Sequence, residues 1–92
     1  MRDILKIDRS DNVATCLRPL AKGEEVASGE ERVLIRSDIP VFHKVALRGI
    51  KKGGPVIKYG QVIGLATDDI ARGDHVHIHN VESLRGRGDK GE

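Results

Sequence analysis

Three histidines alternate with apolar residues late in the chain, in a pattern that suits chemistry. The segment reads His75-Val76-His77-Ile78-His79-Asn80. Because successive side chains of a β-strand face opposite ways, a strand here would place the three imidazoles on one face and bury the two apolar side chains behind them. Imidazoles on one face suit metal ligation, proton transfer or anion contact near neutral pH. An exposed strand with a polar wet face gives the same alternation, so the pattern alone leaves both readings open.

The fourth histidine stands beside a lysine, as His43-Lys44. An imidazole titrates near working pH, so His43 can serve as a general acid or base. In a predicted strand the two side chains diverge, and both reach one ligand only if the chain bends, which Pro40 favours. The alternative reading is an edge strand that is protected by charge.

Length and composition limit the classes of function. The chain has 92 residues, which suits one small domain, and its net charge is only +2 although 33% of its residues are charged. There is no basic block before the tail and aromatic residues are few, so we expect no nucleic-acid partner. No segment resembles a membrane span or a signal peptide. Cys16 has no cysteine partner, so we expect a packed, inert thiol in a reducing cytoplasm.

One loop pattern occurs three times, at residues 20–26, 50–56 and 70–76. Each copy begins with Leu or Ile, has Gly at its fourth position and ends with Val. We expect the first residue to pack in the core, the glycine to supply a positive φ that ends a one-turn connection, and the valine to border a strand. The copies are unequally spaced, which excludes a solenoid.

Short apolar runs between glycine-containing turns predict an all-β fold, either a small barrel or a clip. We expect a hairpin tip at residues 28–31 and a tight turn at Tyr59-Gly60-Gln61. The domain is predicted to span residues 1–82, followed by a flexible tail at 83–92 that has no apolar residue after Leu84. The predicted strands are residues 4–7, 13–17, 32–37, 42–47, 56–57, 62–64 and the histidine segment 75–79.

Five motifs in order carry a family resemblance: Asp11-Asn12-Val13-Ala14-Thr15, His43-Lys44-Val45-Ala46-Leu47, Ile57-Lys58-Tyr59-Gly60, Val62-Ile63-Gly64-Leu65-Ala66 and the histidine segment. Together they resemble the SAF-type N-terminal domain of altronate dehydratase. They are also similar to the small subunit of sulfolactate sulfo-lyase and to the first domain of galactarate dehydratase. The resemblance implies a β-clip, SAF-like fold and lyase chemistry on a sugar acid or a related hydroxy acid.

The resemblance also implies roles for single residues. His43 and Lys44 are expected to be catalytic, and Lys44, His77 and Asn80 to bind substrate. The family usually has Gly before the first of these histidines, where this chain has Phe42. Glycine would let the backbone approach a ligand closely, whereas phenylalanine there is expected to cover the pocket.

A divalent metal, Fe²⁺ or Mn²⁺, is the cofactor that we expect, shared with a partner subunit. His77 and His79 are the expected metal ligands, since alternate residues of a strand lie roughly 6.5–7 Å apart and their imidazoles can lean together. His75, at the start of the strand, is expected to take no part.

The missing groups point to a partner. Dehydration of a sugar acid removes a proton next to a carboxylate and expels a hydroxyl, yet the chain has no clustered carboxylates, cysteine cluster or phosphate loop. We therefore expect the small subunit of an altronate-type sugar-acid dehydratase, which completes the active site of a separate large catalytic subunit. The alternatives are a sulfolactate sulfo-lyase small subunit, a non-catalytic SAF binding module and a structural SAF domain of pilus or flagellar assembly.

Overall fold

The computed structural model describes residues 2–29 and 31–84, and these form nine short β-strands. The predicted tail at 83–92 lies outside the described residues from residue 85 onward, and Ser83 is the last residue of the ninth strand. In chain order the strands are β1 (Ile4–Leu5), β2 (Val13–Cys16), β3 (Glu25–Ser28), β4 (Glu31–Leu34), β5 (Lys44–Ala46), β6 (Pro55–Lys58), β7 (Gln61–Ala66), β8 (His75–Val76) and β9 (Val81–Ser83).

The strands form three antiparallel sheets, ordered β1-β2-β5-β8, β3-β4 and β6-β7-β9. Side chains alternate along β5, so Val45 packs in one core with the β3-β4 hairpin and Ala46 packs in a second core with β6 and β7. The all-β prediction is confirmed, and the architecture agrees with the expected β-clip. Among the described residues, no helix has the length and apolar character needed to cross a membrane.

Both predicted hairpin turns are present. Ser28 pairs with Glu31 at the β3-β4 tip, and Tyr59-Gly60 joins β6 to β7 with φ values of 58° and 72°. Two successive positive φ values are typical of a type I′ turn. The buried Asp11 carboxylate accepts the backbone N–H groups of Gly60 at 2.8 Å and Asp8 at 2.9 Å. Burial acts to raise the Asp11 pKa, but these hydrogen bonds hold it below its usual value, so the carboxylate anchors the turn.

The repeated loop pattern also has the expected structure, and we call it the bridge turn. Its first residue is buried and forms an isolated β-bridge, and its glycine has a positive φ, for example 94° at Gly23 and 91° at Gly73. The residue after the glycine donates its N–H to the residue three positions earlier, and a strand then begins. The prediction of one connection used three times is therefore confirmed.

A fourth bridge turn, which the sequence pattern did not reveal, lies at residues 39–43. Ile39 forms the bridge with Leu20, as Ile50 does with Ile70. His43 donates its N–H to the Pro40 carbonyl at 3.2 Å, and Phe42 has a φ of 69° at the position that glycine occupies in the other copies. This turn delivers the chain into β5, and so it positions His43 and Lys44.

Candidate functional site

The pairing of β5 with β8 brings two distant histidine segments together. Lys44 pairs with Val76 and Val45 with His75, so the same register continued by one residue places His43 opposite His77. Directly opposed residues of an antiparallel pair share a face. Since β5 lies between β2 and β8, the alternative of a charge-protected edge strand does not hold.

Three imidazoles meet at this point, and we call His43, His75 and His77 the imidazole cluster. Nδ1 of His43 lies 2.8 Å from Nε2 of His75, which is hydrogen-bond distance. The rings of His43 and His77 are stacked, with centroids 3.8 Å apart and planes 18° from parallel. Among the described residues, these three each offer a ring nitrogen within 4.8 Å of the others, and all three are half-buried.

The predicted histidine strand is wrong beyond Val76. Residues 77–80 form a turn, so Ile78 is 84% exposed instead of buried. The Asn80 side chain closes this turn, because its Oδ1 accepts the His77 N–H at 3.0 Å and its Nδ2 donates to the His75 carbonyl at 2.8 Å. Asparagine side chains often compete with sheet bonding in this way. Both ends of the Asn80 amide thus hold the backbone, and its substrate-binding role stays a prediction.

The turn changes which histidines are neighbours. His75, expected to stand apart, is hydrogen-bonded to His43, whereas His79 is exposed and its ring centroid lies 5.0 Å from that of His75. The expected strand geometry for a pair of His77 and His79 is therefore absent. Their role as metal ligands stays a prediction.

The electrostatic surroundings of the cluster disfavour positive charge. Burial, together with smaller effects of the neighbouring His79, His43, His77 and Lys44, lowers the pKa of His75 to about 4. Burial also lowers the pKa of His77, with added effects of His43 and Lys44. All of these neighbours are bases that carry positive charge when they are protonated. A bound anion, or negative charge that develops on a substrate, would therefore be stabilised at this site.

Lys44 points to the other face of β5, as predicted for consecutive strand residues. It lines a pocket of about 290 Å³ together with His77, Ile63, Ile78, Val81 and Ser83. Burial and the nearby Lys58 lower the Lys44 pKa, and Tyr59 acts against them. His77 belongs both to the imidazole cluster and to this pocket, so one ligand there can reach Lys44 and an imidazole.

Cys16 stands opposite His43 across the β2-β5 pair. It is fully buried, and burial raises the pKa of its thiol to about 11. Its backbone exchanges hydrogen bonds with the His43 carbonyl at 2.8 Å and the Phe42 N–H at 2.7 Å. The expected packed, inert thiol is present, and its backbone holds the end of the Phe42 turn.

Comparison with known proteins gives one consistent family. The family model described as "Altronate/galactarate dehydratase SAF domain" matches residues 2–84. Altronate dehydratase of Escherichia coli (strain K12) is 49% identical over 79 residues, which cover 86% of this chain and 16% of that enzyme. Altronate dehydratase of Bacillus subtilis (strain 168) is 39% identical over 83 residues, covering 90% of this chain and 17% of that enzyme. The chain thus spans about a sixth of the length of both dehydratases.

A third relative is much shorter. The (2R)-sulfolactate sulfo-lyase subunit alpha of Paracoccus pantotrophus is 46% identical over 54 residues. The match covers 59% of this chain and 81% of that subunit. A protein that consists mostly of the matched region therefore serves as one subunit of a lyase.

Proposed function

Because the chain belongs to the altronate/galactarate dehydratase SAF domain family, we propose that it is the small subunit of a two-subunit hydroxy-acid lyase of the altronate dehydratase type. In this proposal it completes an active site whose other part is a large catalytic subunit. One observation carries it: the imidazole cluster and the Lys44 pocket share His77 and are half-buried, so a second protein can close over both.

Exposed apolar side chains next to these groups support a partner. Ile78 is 84% exposed and adjoins His77, and Phe42 is 72% exposed and adjoins His43. Tyr59, beside Lys58, is 56% exposed. Scattered apolar residues are normal on a surface, but aromatic and aliphatic groups around a polar site are typical of the core of an interface. The shared family with a sulfo-lyase subunit points the same way.

The residues fit the removal of a proton and a hydroxyl from a hydroxy acid. The substrate carboxylate would bind in the pocket of Lys44 and His77, whose surroundings favour negative charge. Charge that develops on this carboxylate as the neighbouring proton leaves would be stabilised by the same groups. His43, which contacts both of the other rings of the cluster, would exchange a proton or a hydrogen bond with the substrate.

A divalent metal ion, Fe²⁺ or Mn²⁺, belongs to the proposal as a cofactor shared with the large subunit. Such an ion would polarise the substrate carboxylate. The 2.8 Å between His43 Nδ1 and His75 Nε2 is shorter than the roughly 3.3 Å that separates two ligands of a tetrahedral ion, so this pair suits a hydrogen bond. We keep His77 and His79 as the proposed ligands, because both lie on the surface turn where a partner can add the remaining ones.

Sulfolactate sulfo-lyase is the second candidate activity. It is favoured by the 81% of the Paracoccus subunit that the match covers, against 16–17% of the altronate dehydratases. In both activities a leaving group departs from the carbon chain of a hydroxy acid that carries a carboxylate. The same residues can therefore serve either activity. A cytoplasmic location remains part of the proposal for both.

A chimera tests the function. This chain replaces the matched segment of the E. coli altronate dehydratase, and in a parallel experiment it replaces subunit alpha of the Paracoccus sulfo-lyase. We expect altronate turnover in the first chimera and none from the isolated chain with divalent metal. Turnover of sulfolactate alone would favour the second candidate. If both chimeras fold and assemble but have neither activity, both candidate activities are contradicted. A non-catalytic binding module is then favoured.

A further inference from the structure

The hydrogen bond between His43 and His75 limits where the two rings can carry protons. A neutral imidazole has one N–H donor and one acceptor nitrogen, so a bond at 2.8 Å needs a proton on one of the two facing atoms and a lone pair on the other. Two arrangements meet this condition. Either His75 donates from Nε2 to His43 Nδ1, or His43 donates from Nδ1 to His75 Nε2.

The first arrangement costs less free energy. A neutral histidine side chain in water favours the tautomer with its proton on Nε2. If His75 donates, both rings keep this favoured tautomer, with His75 Nε2–H facing His43 Nδ1 and the His43 proton on its own Nε2. If His43 donates, both rings must adopt the less favoured tautomer.

The same arrangement limits what His43 can do. Its Nδ1 lone pair accepts the His75 N–H and its Nε2 carries the one proton of the ring, so the neutral ring has no free lone pair with which to remove a proton. Its Nε2–H can donate to a ligand, and a hydrogen bond to negative charge is the stronger kind. His43 in this state is suited to stabilise an anion and not to act as a general base.

We propose that His75 is a positioning residue, which donates its Nε2–H to Nδ1 of His43 and so fixes His43 as a neutral donor with its proton on Nε2. His43 then presents this N–H to negative charge that develops on the substrate. The group that removes the substrate proton comes from the large subunit. The substrate part of this inference rests on the proposed function, whereas the tautomer is a property of the chain itself.

The backbone supports this role of His75. Its carbonyl accepts the Asn80 amide at 2.8 Å, and its position in β8 is fixed by pairing with Val45. The ring is half-buried, which restricts its rotamers. A donor that is held in this way keeps its partner in one orientation at little entropic cost.

The tautomers can be read directly from two-bond ¹H–¹⁵N correlation spectra of the isolated, ¹⁵N-histidine-labelled chain. We expect the His43 proton on Nε2 and an Nδ1 signal displaced by hydrogen bonding. In His75→Ala that displacement should disappear, and in the control His79→Ala it should remain. A proton on His43 Nδ1 in the wild-type chain would overturn the proposal.

The positioning role is tested in the active chimera. We expect His75→Ala to lower kcat about 10- to 100-fold with little change in KM, the range seen for groups that orient a functional side chain. His75→Gln, which keeps a side-chain N–H near the same place, should recover part of this loss. If glutamine and alanine are equally impaired, the donor role is wrong. If the tautomer is as expected but no chimera is active, the proposed function is wrong. The assignment of the hydrogen bond from His75 to His43 is then still supported.

Discussion

Two bridge turns lie at opposite ends of the antiparallel β5-β8 pair, and one has a structural use whereas the other has a functional one. The turn at residues 70–74 leads into β8, and its Asp74 carboxylate accepts the N–H of Ala71 at 2.8 Å and the Arg36 Nε–H at 3.0 Å. The turn at residues 39–43 leads into β5. It has Pro40 where the other has Ala71, and His43 where the other has Asp74.

The same backbone turn can therefore hold the fold in one place and present a functional side chain in another. An acidic residue after the positive-φ position closes the turn on itself, and Glu24 does the same in the first copy by accepting the Ala21 N–H at 2.6 Å. Proline has no N–H to be capped, so no acceptor is needed after Phe42. The side chain at that position is then free to face β8, and in this chain it is an imidazole.

The largest expected effect is on activity, from the turn at residues 39–43. His43→Ala should lower turnover of the active chimera by about 10²–10³-fold, the usual loss when a positioned donor or proton-transfer group is removed. Folding should be little affected, because the His43 ring makes no hydrogen bond to the turn at residues 39–43. Steady-state kinetics and thermal unfolding of the same samples measure both. Wild-type turnover from a correctly assembled variant would reduce His43 to a packing residue.

The next effect is on stability, from the turn at residues 70–74. A Cβ added at Gly73 would clash with the Leu34 carbonyl oxygen, at a φ of 91°. Gly73→Ala should therefore lower the free energy of unfolding by about 3 kcal/mol or more, from overpacking and backbone strain together. Gly23→Ala is the control, with a φ of 94° and open space around its Cβ, and should cost only about 1–2 kcal/mol. Equal losses in urea unfolding would show that the Leu34 contact is unimportant.

A smaller loss of stability is expected from Asp74→Ala. The variant leaves the Ala71 N–H without its acceptor and removes an ion pair with Arg36, whose side chain is 60% exposed. Since exposed ion pairs contribute little, we expect a cost of about 1–2 kcal/mol, mainly from the backbone hydrogen bond. Turnover of the folded chimera should be unchanged. Loss of activity without loss of stability would contradict the claim that the turn at residues 70–74 is structural and the turn at residues 39–43 functional.

Much of this fold could be predicted from residue types that act locally. Glycine at the fourth position identified three bridge turns, and Tyr59-Gly60 identified a hairpin turn, because each requires a positive φ. The fourth bridge turn could not be found in this way, because Phe42 occupies the glycine position. The remaining sequence signal is an isoleucine followed by a proline, Ile39-Pro40, and this pair is too common to identify the turn.

The site was harder to predict than the fold. The alternation from His75 to His79 is a strand pattern, whereas the chain turns after Val76 because Asn80 bonds to the backbone of His75 and His77. The contact between His43 and His75 depends on the register of strands that are 32 residues apart. That register is set by tertiary packing, and the pattern of a single segment does not carry it.

The smallest expected effect comes from Phe42→Gly, which gives the turn at residues 39–43 the glycine that the turn at residues 70–74 has. Phenylalanine at a φ of 69° carries a strain of roughly 1–2 kcal/mol that glycine avoids, while glycine adds about 0.5–1 kcal/mol of backbone entropy cost. The ring is 72% exposed, so little apolar burial is lost. The free energy of unfolding should stay the same or rise by up to about 1 kcal/mol. Phe42→Val, a β-branched residue at the same φ, should lower it. A glycine variant as unstable as Gly73→Ala would mean that the phenyl ring itself holds this turn, and that the two turns differ in structure as well as in use.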